Sequence, residues 1–264
     1  MKVAVITGAS GGIGKEIAML LKKEYRVYDL SRTGRDGEGI SHIDADVSSE
    51  ESVKAAFHLL SEKEEKIDLL ICNAGFGIAG AAEFTDVADA RRQMDVNFFG
   101  VFLTTKYALP LLRKAKGRIV AVSSAAAFFP IPFQSFYSAS KAAINSYICA
   151  LGNEVRHFGI SAVAVMPGDT KTGFTAARTK GFLGEDVYGG RITPSIAVME
   201  KDEEGGMTAS AVAKTVVRIA MKKHVRPLYT IGFTYKLFSL LKRILGETIV
   251  CRLIGVLYVK KPKA

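Results

Sequence analysis

The short β-rich run Val3–Ile6 leads straight into Thr7-Gly8-Ala9-Ser10-Gly11-Gly12-Ile13-Gly14, and a helix-patterned segment begins at Gly12. A glycine-rich turn between a first strand and a first helix constrains what this chain can fold into more than any other feature. Such a turn lets the backbone approach a pyrophosphate closely, while the helix N-terminus offers unpaired amides and the positive end of its dipole to the anion. A plain glycine turn is the competing reading of the pattern alone. The GxxxGxG spacing and its place between strand and helix favour a nucleotide site touched by Gly8, Ser10, Gly12, Ile13 and Gly14.

The same rhythm then repeats along the chain. Tyr25–Leu30, Gly39–Ile43, Ile67–Cys72, Gly117–Ser123 and Ser161–Val165 have strand composition. Between them lie helical patterns over Gly12–Lys23, Ser48–Glu62, Arg91–Lys114 and Ser135–Phe158, and a last helix and strand fall around Thr208–Thr230. Alternation of this kind predicts an α/β Rossmann fold: a doubly wound, parallel, seven-stranded sheet with helices on both faces. No linker or repeat divides it, so 1–264 is expected to be a single domain. Residues 173–206, rich in glycine, are expected to form an irregular substrate loop.

Charge excludes one large class of function. The 264 residues carry a formal net charge of +10 and a pI of about 9.4, which on its face suggests a nucleic-acid binder. Residues 207–264, however, hold 12 bases and one acid, Glu247, whereas residues 1–206 hold 24 bases and 25 acids. The excess belongs to the tail, no nucleic-acid motif is present, and no nucleic-acid partner is expected. Cys72, Cys149 and Cys251 are odd in number and widely spaced, so neither a disulfide framework nor a metal site is expected. The N-terminal apolar run is too short for a signal peptide, and Arg252 interrupts the longest apolar stretch, Ile249–Val259. The expected location is cytoplasmic.

At the end of the second strand, Tyr28-Asp29-Leu30-Ser31-Arg32 meets the place where an adenosine ribose would lie. An acid there favours the 2′-hydroxyl of NAD, and a guanidinium favours the 2′-phosphate of NADP. Ser31 and Arg32 fall at that point while Asp29 falls two residues early, so NADP(H) is favoured over NAD(H). Arg32 as a solvated loop base is the alternative. Asp46-Val47, after the third strand, faces either the adenine edge or, for Asp46, a helix cap.

Ser124 follows the fifth strand, and Tyr137 and Lys141 stand four apart near the start of the next helix, hence on one face. A free phenol titrates near pH 10, and a nearby ammonium favours its phenolate. Tyr137 can then exchange a proton with a substrate oxygen that Ser124 also hydrogen-bonds. Taken singly these are a packing tyrosine, a solvated lysine and a strand-end serine. Only their combination points to chemistry.

With these motifs in order, the chain resembles the classical short-chain dehydrogenase/reductase family over nearly its whole length. Thr7–Gly14 is similar to the TGxxxGxG turn, Asn73-Ala74-Gly75 to the NAG motif, and Tyr137–Lys141 to YxxxK. Pro167-Gly168 with Thr172 resembles the segment that contacts the nicotinamide side. The resemblance adds Asn97, in Asp95–Gly100, as a fourth catalytic residue that helps hold Lys141 in a proton relay. It implies hydride transfer between a nicotinamide and a carbonyl or hydroxyl carbon, and a homodimer or homotetramer. One departure is Cys72 where the family usually has a second Asn; a local change of sheet packing is expected. A cofactor-sensing regulator on the same fold is the alternative from another class, and retention of all four catalytic residues argues for an enzyme.

The Ala125–Phe133 run and Phe174 are apolar, and Phe129, Phe133 and Phe174 are expected to line a pocket for a bulky hydrophobic substrate. Similarity over Phe98–Phe174 to the 17β-hydroxysteroid and retinol dehydrogenase branch implies a steroid-like ketone or alcohol first, and a long-chain keto-lipid or retinoid next. The segment 232–264 is basic and amphipathic: Phe233, Leu237, Leu240, Leu241 and Ile244 share a stripe, with Lys236, Lys242 and Arg243 elsewhere and Lys260-Lys261 beyond. It either covers the cleft, makes a subunit contact or rests peripherally on a membrane.

Overall fold

A computed structural model of the chain describes residues 1–260, apart from the side chain of Arg243. Seven parallel strands form the main sheet: β1 (Lys2–Thr7), β2 (Tyr25–Ser31), β3 (Ile40–Asp44), β4 (Leu69–Cys72), β5 (Arg118–Val122), β6 (Ser161–Pro167) and β7 (Leu228–Ile231). Their order is β3-β2-β1-β4-β5-β6-β7, so the chain reverses direction across the sheet between β1 and β4. In open α/β sheets the crevice at that switch point, beyond the C-terminal strand ends, takes the ligand.

Alternation along β1 shows why both faces must be covered. Val3 and Val5 pack into one apolar layer with Leu60, Leu112 and Ile144, beneath helices α2 (Glu50–Lys63), α4 (Gly100–Ala115) and α5 (Ser135–Glu154). Ala4 and Ile6 pack into the other with Ile17, Val212 and Val216, beneath α1 (Gly12–Leu21) and α7 (Ala209–Ala220). A strand buried on both sides reads as an unbroken apolar run. Local signals set the helix ends as well: the Ser49 side chain caps α2 by accepting from the Ser52 amide, with Glu50 and Glu51 in the first turn and Lys63 in the last.

Two expectations need correction. Arg91–Lys114 is not one helix: α3 (Val87–Met94) passes into α4 through a π-helical turn, Asp95–Phe99, centred on Asn97. Residues 173–206 are not irregular throughout, because Ile192–Glu204 form a helix, α6, that buries Ile192, Ile196 and Met199 on one side. The glycines that suggested a loop flank this helix instead of interrupting it. The tail forms α8 (Phe233–Tyr258), broken at Gly246. Lys261 lies outside the described residues.

Candidate active site

The glycine turn is locked from three sides. Gly8 N donates to Leu30 O at 2.9 Å, and Thr7 Oγ1 accepts from the amides of Asn73 and Ala74 at 2.9 and 3.1 Å. The Asn73 side-chain amide donates to Thr7 O and Gly8 O, so this residue ties β4 to the turn as well as facing the cavity. Gly14 lies beneath the cavity wall, not on it. A Cβ there would stand 2.3 Å from Gly8 O, so only glycine allows α1 to start this close to the turn. No side chain caps α1, which leaves its first amides for an anion.

Asp29 supplies an anchor that sequence reasoning missed. Its carboxylate accepts from Ala9 N and from Ser31 Oγ, both at 2.7 Å. It therefore points at the turn and not at a ribose, in keeping with its early position in the strand. Ser31 is buried, and Arg32 is exposed at the mouth of the crevice. Asp46 is not the helix cap, a place taken by Ser49. Its Oδ1 accepts from the amide and the hydroxyl of Ser48. Burial pulls its carboxyl up, but those bonds and the charge of Arg32 outweigh burial and hold it below the usual range.

One cavity of about 1050 Å³ joins the nucleotide end to the proposed chemistry. Its wall includes Gly8, Ser10, Gly12, Ile13, Ser31, Arg32, Asp46, Val47, the Asn73-Ala74-Gly75 turn, Ser124, Tyr137, Lys141, Pro167, Gly168 and Thr172. Residues separated by more than 130 positions thus meet in one space. Ser124 Oγ accepts from Ala126 N at 3.1 Å, which leaves its proton free to donate elsewhere.

Lys141 Nζ donates to Val122 O at 3.0 Å and stands 5.7 Å from the centre of the Tyr137 ring. Burial lowers the ammonium to about 8. Burial also pushes the Tyr137 phenol up to about 12, with the Ser124 hydroxyl acting in the opposite direction. The expected lowering of the phenol by Lys141 is not among the influences on it in the chain alone, where burial dominates and penalises both charged forms.

Asn97 makes three hydrogen bonds of its own. Its side chain donates to Phe76 O and Ser140 Oγ and accepts from Phe76 N. Those bonds pin the π turn to the segment after β4, and none of them reaches Lys141. A π turn at a functional site is a familiar device for aiming a side chain out of helical register. Cys72 is buried in the core, with its thiol pushed up to about 12 by burial, so it acts as an apolar packing group.

Phe129 and Phe174 line the cavity, and Phe174 lies 5.5 Å from Tyr137 between ring centres. Phe133 does not line it. Its backbone adopts φ +61°, and its ring turns away to pack 5.8 Å from Tyr188, in a small cluster with Ala79, Ile192 and Ile196. Beneath Phe174 sits Arg178, 5.5 Å from that ring's centre, its side chain wholly buried and paired with Glu203. No spacing rule would have singled it out.

The roof of the cavity is α8. Leu241, Leu245, Val250, Leu253, Ile254 and Leu257 face the space. Tyr235 Oη donates to the Asp169 carboxylate, and Lys242 Nζ donates to Phe128 O at 2.6 Å. The Lys260 amide reaches Ser195 Oγ at 3.1 Å. Gly168 makes this possible, since a Cβ there would fall 1.9 Å from the Tyr235 ring. Of the three readings of the tail, covering the cleft describes the inner face of α8.

Comparison with known proteins agrees with this architecture. The family model "short chain dehydrogenase" matches residues 2–181. A 3-ketodihydrosphingosine reductase of Bacteroides thetaiotaomicron is 37% identical over 229 residues, covering 84% of this chain and 85% of that protein. An 11-beta-hydroxysteroid dehydrogenase-like protein of Arabidopsis thaliana is 36% identical over 199 residues, 70% of this chain and 64% of its own length. Among solved structures, a short-chain dehydrogenase from Streptomyces avermitilis superposes with a TM-score of 0.82 at 23% identity, over 96% of this chain and 97% of that one. ElxO with NADP bound gives a TM-score of 0.73 at 25% identity, over 90% and 100%. The chain belongs to the short-chain dehydrogenase/reductase family.

Proposed function

We propose that the protein is an NADP(H)-dependent reductase that converts a ketone on a long-chain lipid to a secondary alcohol. The observation that carries the substrate reading is the roof of the cavity, where α8 adds a run of apolar side chains to the space that holds Ser124 and Tyr137. A chain-like apolar substrate can follow such a run. The name of the Bacteroides relative points the same way. A steroid ketone is the second reading, supported by the names of the Arabidopsis relatives.

The residues fit a dinucleotide at the uncapped start of α1. Gly8, Ser10, Gly12 and Ile13 would cradle the pyrophosphate, Arg32 a 2′-phosphate, Asp46-Val47 the adenine edge, and Asn73–Gly75, Pro167, Gly168 and Thr172 the nicotinamide half. When bound, the nicotinamide supplies the hydride. The chain's own part is the proton. Ser124, its oxygen already accepting from Ala126 N, donates to the substrate carbonyl. Tyr137, a phenol that is protonated at neutral pH, gives its proton to that oxygen as negative charge develops there. Lys141, charged below about pH 8, faces the resulting phenolate and can restore its proton. Steady-state kinetics with NADPH and NADH in parallel test the proposal on 3-ketodihydrosphingosine, steroid ketones and retinal. The expected result is fastest turnover of the long-chain ketone with NADPH; turnover of steroids alone, or preference for NADH, overturns the corresponding part.

A further inference from the structure

The outer face of α8 is covered by nothing in the described chain. Phe233, Leu237, Leu240 and Ile244 recur at helical spacing and are 83%, 46%, 55% and 74% exposed. Beyond the break at Gly246, Ile249, Leu253 and Val256 continue the apolar surface. Of the 21 large apolar side chains exposed among the described residues, 11 lie within 233–259. Single exposed apolar residues are ordinary, but such a concentration marks an interaction surface.

Two further observations say what kind of surface. The first is charge: the one acid of the segment, Glu247, already pairs with Lys242, which leaves the exposed Lys236 and Arg252 without an acidic neighbour within α8. The second is the position of the cavity mouth. Phe238, Leu245, Leu253, Val256 and Leu257 are at once exposed and part of the cavity wall, so the cavity opens on the same apolar face. No helix among the described residues is long and apolar enough to cross a membrane.

We propose that this face of α8 docks on the surface of an anionic lipid bilayer, in the headgroup plane, with the cavity mouth turned toward the lipid. Apolar side chains enter the headgroup boundary while Lys236 and Arg252 meet anionic headgroups. A second copy of the chain fits the face less well. Self-association would bring two sets of unneutralised bases together and would close the mouth through which a substrate enters. The benefit of docking, direct entry of a membrane-dissolved ketone, rests on the proposed lipid substrate; the docking itself does not.

The test is co-sedimentation of the full-length protein, without substrate, with vesicles of phosphatidylcholine alone or mixed with phosphatidylglycerol. Wild type is expected to partition onto the anionic vesicles roughly tenfold more strongly than onto the neutral ones, with the difference lost in high salt. The pairs Leu240→Glu/Ile244→Glu and Lys236→Glu/Arg252→Glu are each expected to lower that partitioning by about tenfold or more. None of these four residues lines the cavity, so turnover of a small water-soluble ketone should persist and report folding. Absence of binding to anionic vesicles at low salt, or equal binding by Leu240→Glu/Ile244→Glu, overturns the proposal. So does a wild-type dimer in sedimentation velocity that Leu240→Glu/Ile244→Glu dissolves, which assigns the face to a second copy. Vesicle binding without turnover of any lipid ketone overturns the substrate reading and leaves the docking standing.

Discussion

The carboxylate of Asp29, on β2, holds the amide of Ala9 at 2.7 Å and thereby fixes the phosphate turn from the neighbouring strand. A hydrogen bond from a buried amide to a charged group contributes about 1.5–3 kcal/mol. Asp29→Ala is expected to raise the dissociation constant for NADPH about tenfold or more, measured by nucleotide fluorescence, with less effect on kcat at saturating cofactor. Unchanged affinity would show that the turn holds its shape without this bond.

Lys141 carries a cost that function retains. Burial lowers its ammonium from 10.5 to about 8, so between about pH 8 and 10.4 the unfolded chain binds the extra proton and stability rises with pH. Below that window the penalty is at its full value of about 3 kcal/mol, offset by about 1 kcal/mol from the bond to Val122 O. Lys141→Met is expected to be inactive yet more stable by roughly 1–2 kcal/mol at pH 7, a Tm gain of a few degrees that shrinks toward pH 10. Differential scanning calorimetry at the two pH values decides it.

Tyr137→Phe removes the proton donor and leaves the ring that packs on Phe174. The expected loss is about 10²–10⁴-fold in kcat with NADPH affinity close to that of wild type. Full activity would sink the assignment of Tyr137 as the acid.

Arg32 is exposed at the crevice mouth, where its charge also acts on the Asp46 carboxyl. Arg32→Ala is expected to raise KM for NADPH by about tenfold or more, the scale of one charge-assisted bond to phosphate. KM for NADH should stay nearly constant. Equal effects on both cofactors would return Arg32 to the status of a solvated loop base.

Asn97 secures both the amide and the carbonyl of Phe76. Asn97→Ala leaves the half-buried Phe76 amide without its side-chain partner, at about 1 kcal/mol, while the Phe76 carbonyl keeps the Gln93 side-chain amide as a donor. Both stability and kcat are expected to fall, the second because the π turn loosens beside Ser140 and Lys141. A stable variant with intact kcat would show that the turn holds without its side chain.

The strands and the motif residues were legible because each answers to a local rule. Val3–Ile6 must be a strand buried on both faces, Gly8 and Gly14 leave room for a turn, and Tyr137 and Lys141 share a helix face. The misjudged features answer to distant partners. Phe133 turns to Tyr188, Asn97 breaks a helix to reach Phe76, and Arg178 gains its place only through Glu203 and Phe174. Glycine content misled over 173–206 because it marks the borders of α6 as strongly as it would mark a loop. The tail's charge and apolar stripe were visible, yet which face would roof the cavity depended on Gly168 admitting the Tyr235 ring.

The roof formed by α8 begins 52 residues after the last position matched by the family model, residue 181. The proton-transfer residues therefore lie inside the matched stretch, while much of the apolar wall lies beyond it. On the proposed reading, residues 233–260 transplanted between relatives are expected to shift preference among ketones while leaving cofactor preference with the recipient.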